Sequence, residues 1–128
     1  MTEPNWLGVD LVMAVHDEQI AAHGGLSGIR DAAMLESPLE LARNKWAYEN
    51  ADLPGLAAAY GYCIARNHPF ADGNKRTSLL AIYTFLGLNS IDFIVAEADF
   101  AAIILALAAG EVSEESLARW IRDNWPKM

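Results

Sequence analysis

The chain has 128 residues, 53% of them hydrophobic, with 17 acidic and nine basic residues and a net charge of −8. This length suits one domain over residues 1–128, which buries a core without disulfides or a structural metal. The acidic balance argues against direct binding of nucleic acid, whose phosphates it would repel. The single cysteine, Cys63, leaves no internal disulfide and favours a reducing compartment, so we expect a cytoplasmic protein.

Two sequence features argue against secretion and membrane insertion. Residues 1–10 lack the basic stretch followed by an apolar one that a signal peptide requires. The most apolar stretch, residues 100–109, is too short to cross a bilayer. We therefore expect no membrane partner.

The first third of the chain predicts one long and one short helix. Apolar residues recur at helical spacing over residues 9–22, and the glycine pair at 24–25 is typical of a helix end. A short helix is predicted over residues 32–35. Ser37 and Glu40 then have the spacing of a capping box, with a proline between them, which predicts a turn or a new short helix.

The rest of the chain predicts further helices, so that the fold class is an all-α bundle of about six helices. Apolar spacing and capping residues predict these helices over residues 52–67, from Asp72 or Gly73 to Gly87, over residues 100–110, and from Ser113 onwards. Residues 90–95 are predicted to form a short extended segment.

The loop between the third and fourth helices, His68 to Thr77, has the sequence HPFADGNKRT. Its second half forms the N-terminal turn of the fourth helix, where unpaired backbone N–H groups and the positive end of the helix dipole attract anions. A glycine in this turn, Gly73, lets an anion approach the backbone closely. A phosphate group is therefore the expected ligand.

The polar side chains of this loop each have a structural and a functional interpretation. Asp72 is either the N-cap of the fourth helix or a hard oxygen ligand for Mg²⁺. Lys75 and Arg76 are either solvated charges or partners of a bound anion, and the anion site is favoured because cations oppose the helix dipole there. His68 is either a structural residue before Pro69 or a general base, since imidazoles titrate near neutral pH.

Three other aromatic and histidine residues are expected to be structural. Phe70 anchors the loop in the core. His16 and His23 have no second histidine or cysteine at ligand spacing, so we expect them to be exposed or hydrogen-bonded rather than metal-binding.

The residues from His68 to Arg76 resemble the signature of the Fic/Doc family, H-x-F-x-[DEN]-[AG]-N-[GK]-R, which lies at the start of a helix in a small all-helical fold. Every position of the signature fits. Residues 23–37, HGGLSGIRDAAMLES, are similar to the N-terminal segment of the Doc-like, death-on-curing branch. The resemblance covers most of the chain and implies the Fic/Doc fold.

The resemblance also implies a role for most residues of the signature. His68 takes a proton from a hydroxyl group of a target protein, and Asp72 holds Mg²⁺. Gly73 and Asn74 form an anion hole from backbone and side chain. Arg76 binds a phosphate of the nucleotide, which is ATP. The protein is therefore expected to be a transferase that modifies other proteins.

The reaction type depends on Lys75, which stands where family members that transfer AMP have glycine. Leu79 stands where those members usually have a second arginine. The sequence Asn-Lys-Arg is similar to that of the Doc-like branch, which implies transfer of a phosphoryl group from ATP to elongation factor Tu, with the nucleotide held in the reverse sense. Gly73, however, is shared with the members that transfer AMP, so AMP transfer is the nearest alternative.

Two other classes of function remain as alternatives. A catalytically silent binding module would keep the fold and the loop, but the joint presence of His68, Asp72 and Arg76 argues against it. A helix-turn-helix DNA-binding protein would also have two helices joined by a turn with glycine, but the acidic surface argues against that.

The resemblance further implies a flap and a protein partner. Glu36–Glu49 occupies the position of the family's flap, which holds the target polypeptide alongside the loop; this assignment rests on position alone. Self-restrained members carry [ST]-x-x-x-E-[GN], whose glutamate pairs with the motif arginine. The corresponding pair here is Glu49-Asn50, with Lys45 at the serine position. Because a lysine stands where the motif requires serine or threonine, the sequence shows no built-in inhibitory motif. A separate antitoxin protein is therefore the implied partner.

Overall fold

A computed structural model of the chain describes residues 2–127 and contains six α-helices in that range. In chain order the helices are α1 (Val9–His23), α2 (Ala32–Glu49), α3 (Leu53–Asn67), α4 (Asn74–Leu88), α5 (Glu97–Ala108) and α6 (Glu114–Asp123). No strand forms within residues 2–127, although Ile29 and Phe70 make an isolated antiparallel bridge. The predicted all-α class is confirmed.

Helix α3 is buried at the centre of the bundle and contacts α2, α4, α5 and α6. Small residues on its surface let the neighbouring helices approach closely. At Gly61 an added Cβ atom would lie only 2.5 Å from Cδ1 of Ile82 on α4. The hydroxyl of Ser78, also on α4, donates a hydrogen bond to the Gly61 carbonyl over 2.6 Å. Tight packing of α3 on α4 therefore holds both ends of the loop that joins them.

The turn predicted at residues 37–40 is wrong, because α2 continues through Pro38 as one helix. The side chain of Asp31 caps this helix by accepting hydrogen bonds from two N–H groups of its first turn, at 3.0 and 3.4 Å. Leu35, Pro38 and Ala42 are buried on one face of the helix. Packing of this continuous face offsets the backbone hydrogen bond that the proline is unable to donate.

Several other helix ends agree with the prediction. Helix α1 ends at Gly24, whose φ of +80° suits glycine. Helix α3 begins after Asp52, whose side chain accepts a hydrogen bond from the N–H of Gly55 at 3.0 Å. Ser113 caps α6 in the same way, through the N–H of Ser116 at 3.1 Å.

Three details in the second half of the chain differ from the prediction, and the first is that α5 runs over Glu97–Ala108 and not over residues 100–110. Gly87 lies inside α4, because the side chain of Asn89 donates a hydrogen bond to the Phe85 carbonyl at 2.9 Å and so satisfies the last turn. Residues 90–95 form no strand, since the described chain offers no strand with which they would pair.

Among residues 2–127 no helix combines the length and apolarity that crossing a membrane requires.

Candidate active site

The signature loop begins at the C-terminal end of α3, where His68 has left-handed backbone angles of φ 50° and ψ 59°. A proline disfavours the right-handed helical region for the residue before it, and His68, which precedes Pro69, lies outside that region. A residue with a side chain is strained in the left-handed conformation and needs surrounding contacts to hold it there. The imidazole of His68 is exposed at the surface.

The segment between α1 and α2 lies alongside this loop and is joined to it by backbone hydrogen bonds. The N–H groups of Arg30 and Asp31 both donate to the Pro69 carbonyl, at 2.7 and 3.1 Å. The N–H of Ala71 donates to the Gly28 carbonyl at 3.1 Å. Residues 24–31 thus form an edge along the loop, which we call the edge segment.

This arrangement corrects the predicted flap. Glu36–Glu49 lies within α2, a regular helix whose buried face packs on α3, so that segment is not extended beside the loop. The segment that the structure does place beside the loop is the edge segment. The flap assignment rested on position in the sequence alone, which does not determine where a segment lies in the folded bundle.

Beneath the loop lies the buried imidazole of His16 on α1, which is only 1% exposed. Its ring stacks on that of Phe70, with centroids 3.7 Å apart and planes 6° apart. Its Nε2 lies 2.8 Å from the backbone carbonyl of Asp72. Because a carbonyl only accepts hydrogen bonds, Nε2 carries the proton and donates. Phe70 is buried, as predicted for an anchor, and His16 is its support.

The side chain of Asn74 closes the loop on itself. Its Oδ1 accepts a hydrogen bond from the N–H of Phe70, and its Nδ2 donates to the carbonyl of the same residue, both at 3.0 Å. The residue is buried to 8% exposure. Since the amide holds the loop together in this way, the backbone N–H of Asn74 is the group best placed for the predicted anion contact.

Gly73 is the N-cap of α4 and has φ 75°, a conformation that glycine adopts without strain. No side chain within residues 2–127 caps this helix. The first N–H groups of a helix have no partner inside it, so those of Asn74, Lys75 and Arg76 are available to a ligand. The surface cavity above them has a volume of about 410 Å³. It is lined by seven residues of the loop and the first turn of α4: His68, Ala71, Asp72, Gly73, Asn74, Lys75 and Arg76.

The carboxylate of Asp72 is exposed and belongs to the loop rather than to the helix cap. Its Oδ1 accepts from the N–H of Gly73 at 2.9 Å, and its Oδ2 accepts from the N–H of Leu26 in the edge segment at 3.3 Å. The interpretation of Asp72 as N-cap of α4 is therefore wrong. Among residues 2–127 no three acidic, histidine or cysteine side chains cluster to hold a metal ion. A single solvent-facing carboxylate fits Mg²⁺, which keeps waters and takes substrate phosphates as its other ligands.

Both cations of the signature are exposed in the first turn of α4. Nη1 of Arg76 lies 3.2 Å from Nε2 of His23, which must accept this hydrogen bond since the guanidinium only donates. Lys75 also borders a second cavity of about 660 Å³, lined by His68, Lys75, Ala102, Leu105, Ala106, Ala108, Ala109 and Glu111. The two cavities therefore share His68 and Lys75, and their volumes fall in the range of small-molecule sites.

Two contacts of the site, those of His16 and His23, were missed by the sequence reasoning. The prediction that both histidines are exposed or hydrogen-bonded holds, but each contacts the signature loop or helix. They are seven positions apart on α1, which places them two turns apart on one face. That spacing was the available signal.

Two groups at the start of α3 and within it, Asp52 and Cys63, have shifted pKa values. Hydrogen bonds from Arg122 hold the pKa of the Asp52 carboxyl below its usual range. Burial raises the pKa of the Cys63 thiol to about 11, so this thiol stays protonated at neutral pH and is a poor nucleophile. Neither group belongs to the loop whose residues are predicted to carry the chemistry.

Comparison with known proteins agrees with the fold and the loop. The Fic/DOC family model matches residues 6–86, and the chain belongs to this family. It is 34% identical over 112 residues to the protein named Protein kinase doc of Escherichia phage P1, across 87% of this chain and 88% of that protein. It is 39% identical over 74 residues to Toxin Doc of Mycolicibacterium smegmatis, across 55% of each chain.

Proposed function

We propose that this protein transfers the γ-phosphoryl group of ATP to a hydroxyl group of a target protein. The observation that carries the proposal is the position of His68 and Lys75, which line both the cavity over the α4 N-terminus and the cavity beside α5. A nucleotide bound in the first cavity would have its phosphates beside the base. The name of the phage relative, Protein kinase doc, supports the same reaction.

In the proposed reaction, His68 accepts the proton of the target hydroxyl while the oxygen of that hydroxyl forms a bond to the γ-phosphorus. The bond between that phosphorus and the bridging oxygen breaks, and ADP leaves with the electron pair. The free N–H groups of α4 and the guanidinium of Arg76 bind phosphate oxygens. Asp72 holds Mg²⁺, which offsets negative charge on the phosphates when it is bound.

The target polypeptide would lie along the edge segment. Leu26 and Ile29 of this segment are exposed to 70% and 39%, so they offer apolar contacts to an extended chain. The backbone of the same segment is already paired with the loop on one side. The proposed target is elongation factor Tu, and ATP and Mg²⁺ are the proposed cosubstrate and metal.

We further propose that the protein acts as the toxin of a toxin–antitoxin pair, regulated by a separate antitoxin. The name of the mycobacterial relative, Toxin Doc, supports this setting. The acidic chain, with its net charge of −8, would suit a partner segment that carries basic residues.

AMP transfer is the second candidate function, because Gly73 matches the signature of members that transfer AMP. The two reactions are separated by incubating purified elongation factor Tu with ATP, Mg²⁺ and the protein, and measuring the intact mass of the target. ATP labelled at either the α- or the γ-phosphate gives an independent result. A γ label on the target supports the proposal, and an α label establishes AMP transfer. An unmodified target contradicts both and favours the catalytically silent binding module.

A further inference from the structure

The strained backbone of His68 raises the question of what holds it in place. Its N–H donates to the Ile64 carbonyl at 3.3 Å, a long hydrogen bond at the end of α3. Its side chain is exposed, so burial in the core does not fix it. The remaining contacts come from outside α3 and α4.

Arg30 in the edge segment supplies these contacts through its side chain. Its Nε donates to the His68 carbonyl and its Nη2 donates to the Asn67 carbonyl, both at 2.7 Å. These are the carbonyls at the very end of α3, which have no partner within the helix. The backbone N–H of the same arginine donates to the Pro69 carbonyl at 2.7 Å. One residue thus binds three consecutive carbonyls around the proposed base.

We infer that Arg30 is a positioning residue that holds His68 in its left-handed conformation and couples it to the edge segment. The inference rests on the proposed role of His68 as base. Two parallel donors of a planar guanidinium fix the direction of both carbonyls, whereas a single ammonium would fix only one. A displacement of the edge segment by a target polypeptide would therefore be transmitted to the imidazole through the backbone of His68.

The chain offers a matched control at the opposite end of the same helix. Arg122 donates from Nε and Nη2 to the two carboxylate oxygens of Asp52, at 3.0 and 2.8 Å, and Asp52 caps the start of α3. Replacing either arginine by methionine removes two hydrogen bonds at one end of α3. If the arginines only stabilise α3, both variants should lose activity to a similar extent. If Arg30 positions His68, only Arg30→Met should lose activity.

The experiment compares wild type, Arg30→Met, Arg30→Lys and Arg122→Met by two independent measurements. The first is the backbone order parameter of His68 from ¹⁵N relaxation. The second is kcat and KM for ATP in phosphorylation of elongation factor Tu. For Arg30→Met we expect the order parameter to fall from about 0.85 to below about 0.6. We expect kcat to fall about 10- to 100-fold, because small displacements of a reacting group are costly.

The pattern across the variants decides the inference. KM for ATP should change less than about twofold in Arg30→Met, since Arg30 is not a nucleotide contact. Arg30→Lys should restore part of kcat, and Arg122→Met should leave kcat and the order parameter of His68 unchanged. An ordered His68 in Arg30→Met, or an equal loss of kcat in the two methionine variants, overturns the inference. If wild type modifies no target, the proposed function fails, while the order parameters still decide the role of Arg30.

Discussion

The imidazole of His16 lies parallel to the ring of Phe70 and, through Nε2, donates a hydrogen bond to the Asp72 carbonyl at 2.8 Å. The two contacts connect α1 to the floor of the signature loop from a fully buried position. A phenylalanine at position 16 would keep the stacking but remove the donor, which leaves the partly buried carbonyl of Asp72 unpaired.

We therefore expect His16→Phe to lower the free energy of unfolding by about 1–3 kcal/mol. Transfer activity should fall further than stability alone explains, since the backbone of Asp72 is no longer oriented. Urea unfolding and activity measured below the unfolding transition test this. Wild-type stability in the variant would show that the Asp72 carbonyl does not depend on His16.

Replacement of His68 by alanine should abolish transfer while leaving the fold and nucleotide binding intact. The side chain is exposed, so its removal deletes no core contacts. A general base contributes roughly 10²–10⁴-fold to a rate, and residual activity should be correspondingly slight. Single-turnover rates with labelled ATP provide the measurement, and circular dichroism checks the fold. An unchanged rate would remove His68 from the mechanism.

Asp72→Asn should weaken Mg²⁺-dependent binding of ATP much more than it lowers stability. Asparagine keeps an oxygen that is able to accept the hydrogen bond from the Gly73 N–H, but it loses the charge that a divalent cation requires. Calorimetric titration of ATP with and without Mg²⁺, in both proteins, separates the two effects. Destabilisation together with normal Mg²⁺ dependence would mean that Asp72 is structural.

The chemistry of the reaction should depend on Lys75. If its ammonium steers the triphosphate so that the γ-phosphoryl group faces the target hydroxyl, Lys75→Gly should reduce phosphoryl transfer sharply. In-line transfer needs reacting atoms within about 3–3.5 Å, so a small shift of the nucleotide is costly. The added space should also make AMP transfer detectable with ATP labelled at the α-phosphate.

Lys75→Met separates the charge from the space in that test, because it removes the cation but keeps most of the side-chain volume. We expect it to lose phosphoryl transfer without gaining AMP transfer. The argument fails if Lys75→Gly phosphorylates the target at the wild-type rate, or if the wild-type protein itself transfers AMP.

The close contact of α3 and α4 should make Gly61 intolerant of any side chain. An added Cβ would lie 2.5 Å from Cδ1 of Ile82, so Gly61→Ala should destabilise the protein by about 1–3 kcal/mol. Gly87→Ala is the control, since no heavy atom lies within 4 Å of a Cβ at that position. In the last turn of α4 that change should stabilise by up to about 0.5–1 kcal/mol. Thermal unfolding measures both, and equal effects would contradict the packing argument.

Local sequence determined much of this protein. The apolar spacing, the caps at Asp52 and Ser113 and the glycine at 24 predicted where helices begin and end, because these signals act within a few residues of the chain. The signature from His68 to Arg76 indicated the Fic/Doc family, since its residue types stand at fixed spacing within one loop. The roles of its residues in catalysis remain predictions.

Tertiary structure alone decided the features that depend on contacts between distant segments. Pro38 stays inside α2 because the buried face of that helix packs on α3, and no local rule predicts that packing. The edge segment, the fork of Arg30 on the end of α3 and the stack of His16 on Phe70 join residues far apart in sequence. Such contacts arise when whole helices bury their apolar faces, so the partner of each side chain is set by the packed bundle and not by its neighbours in the chain.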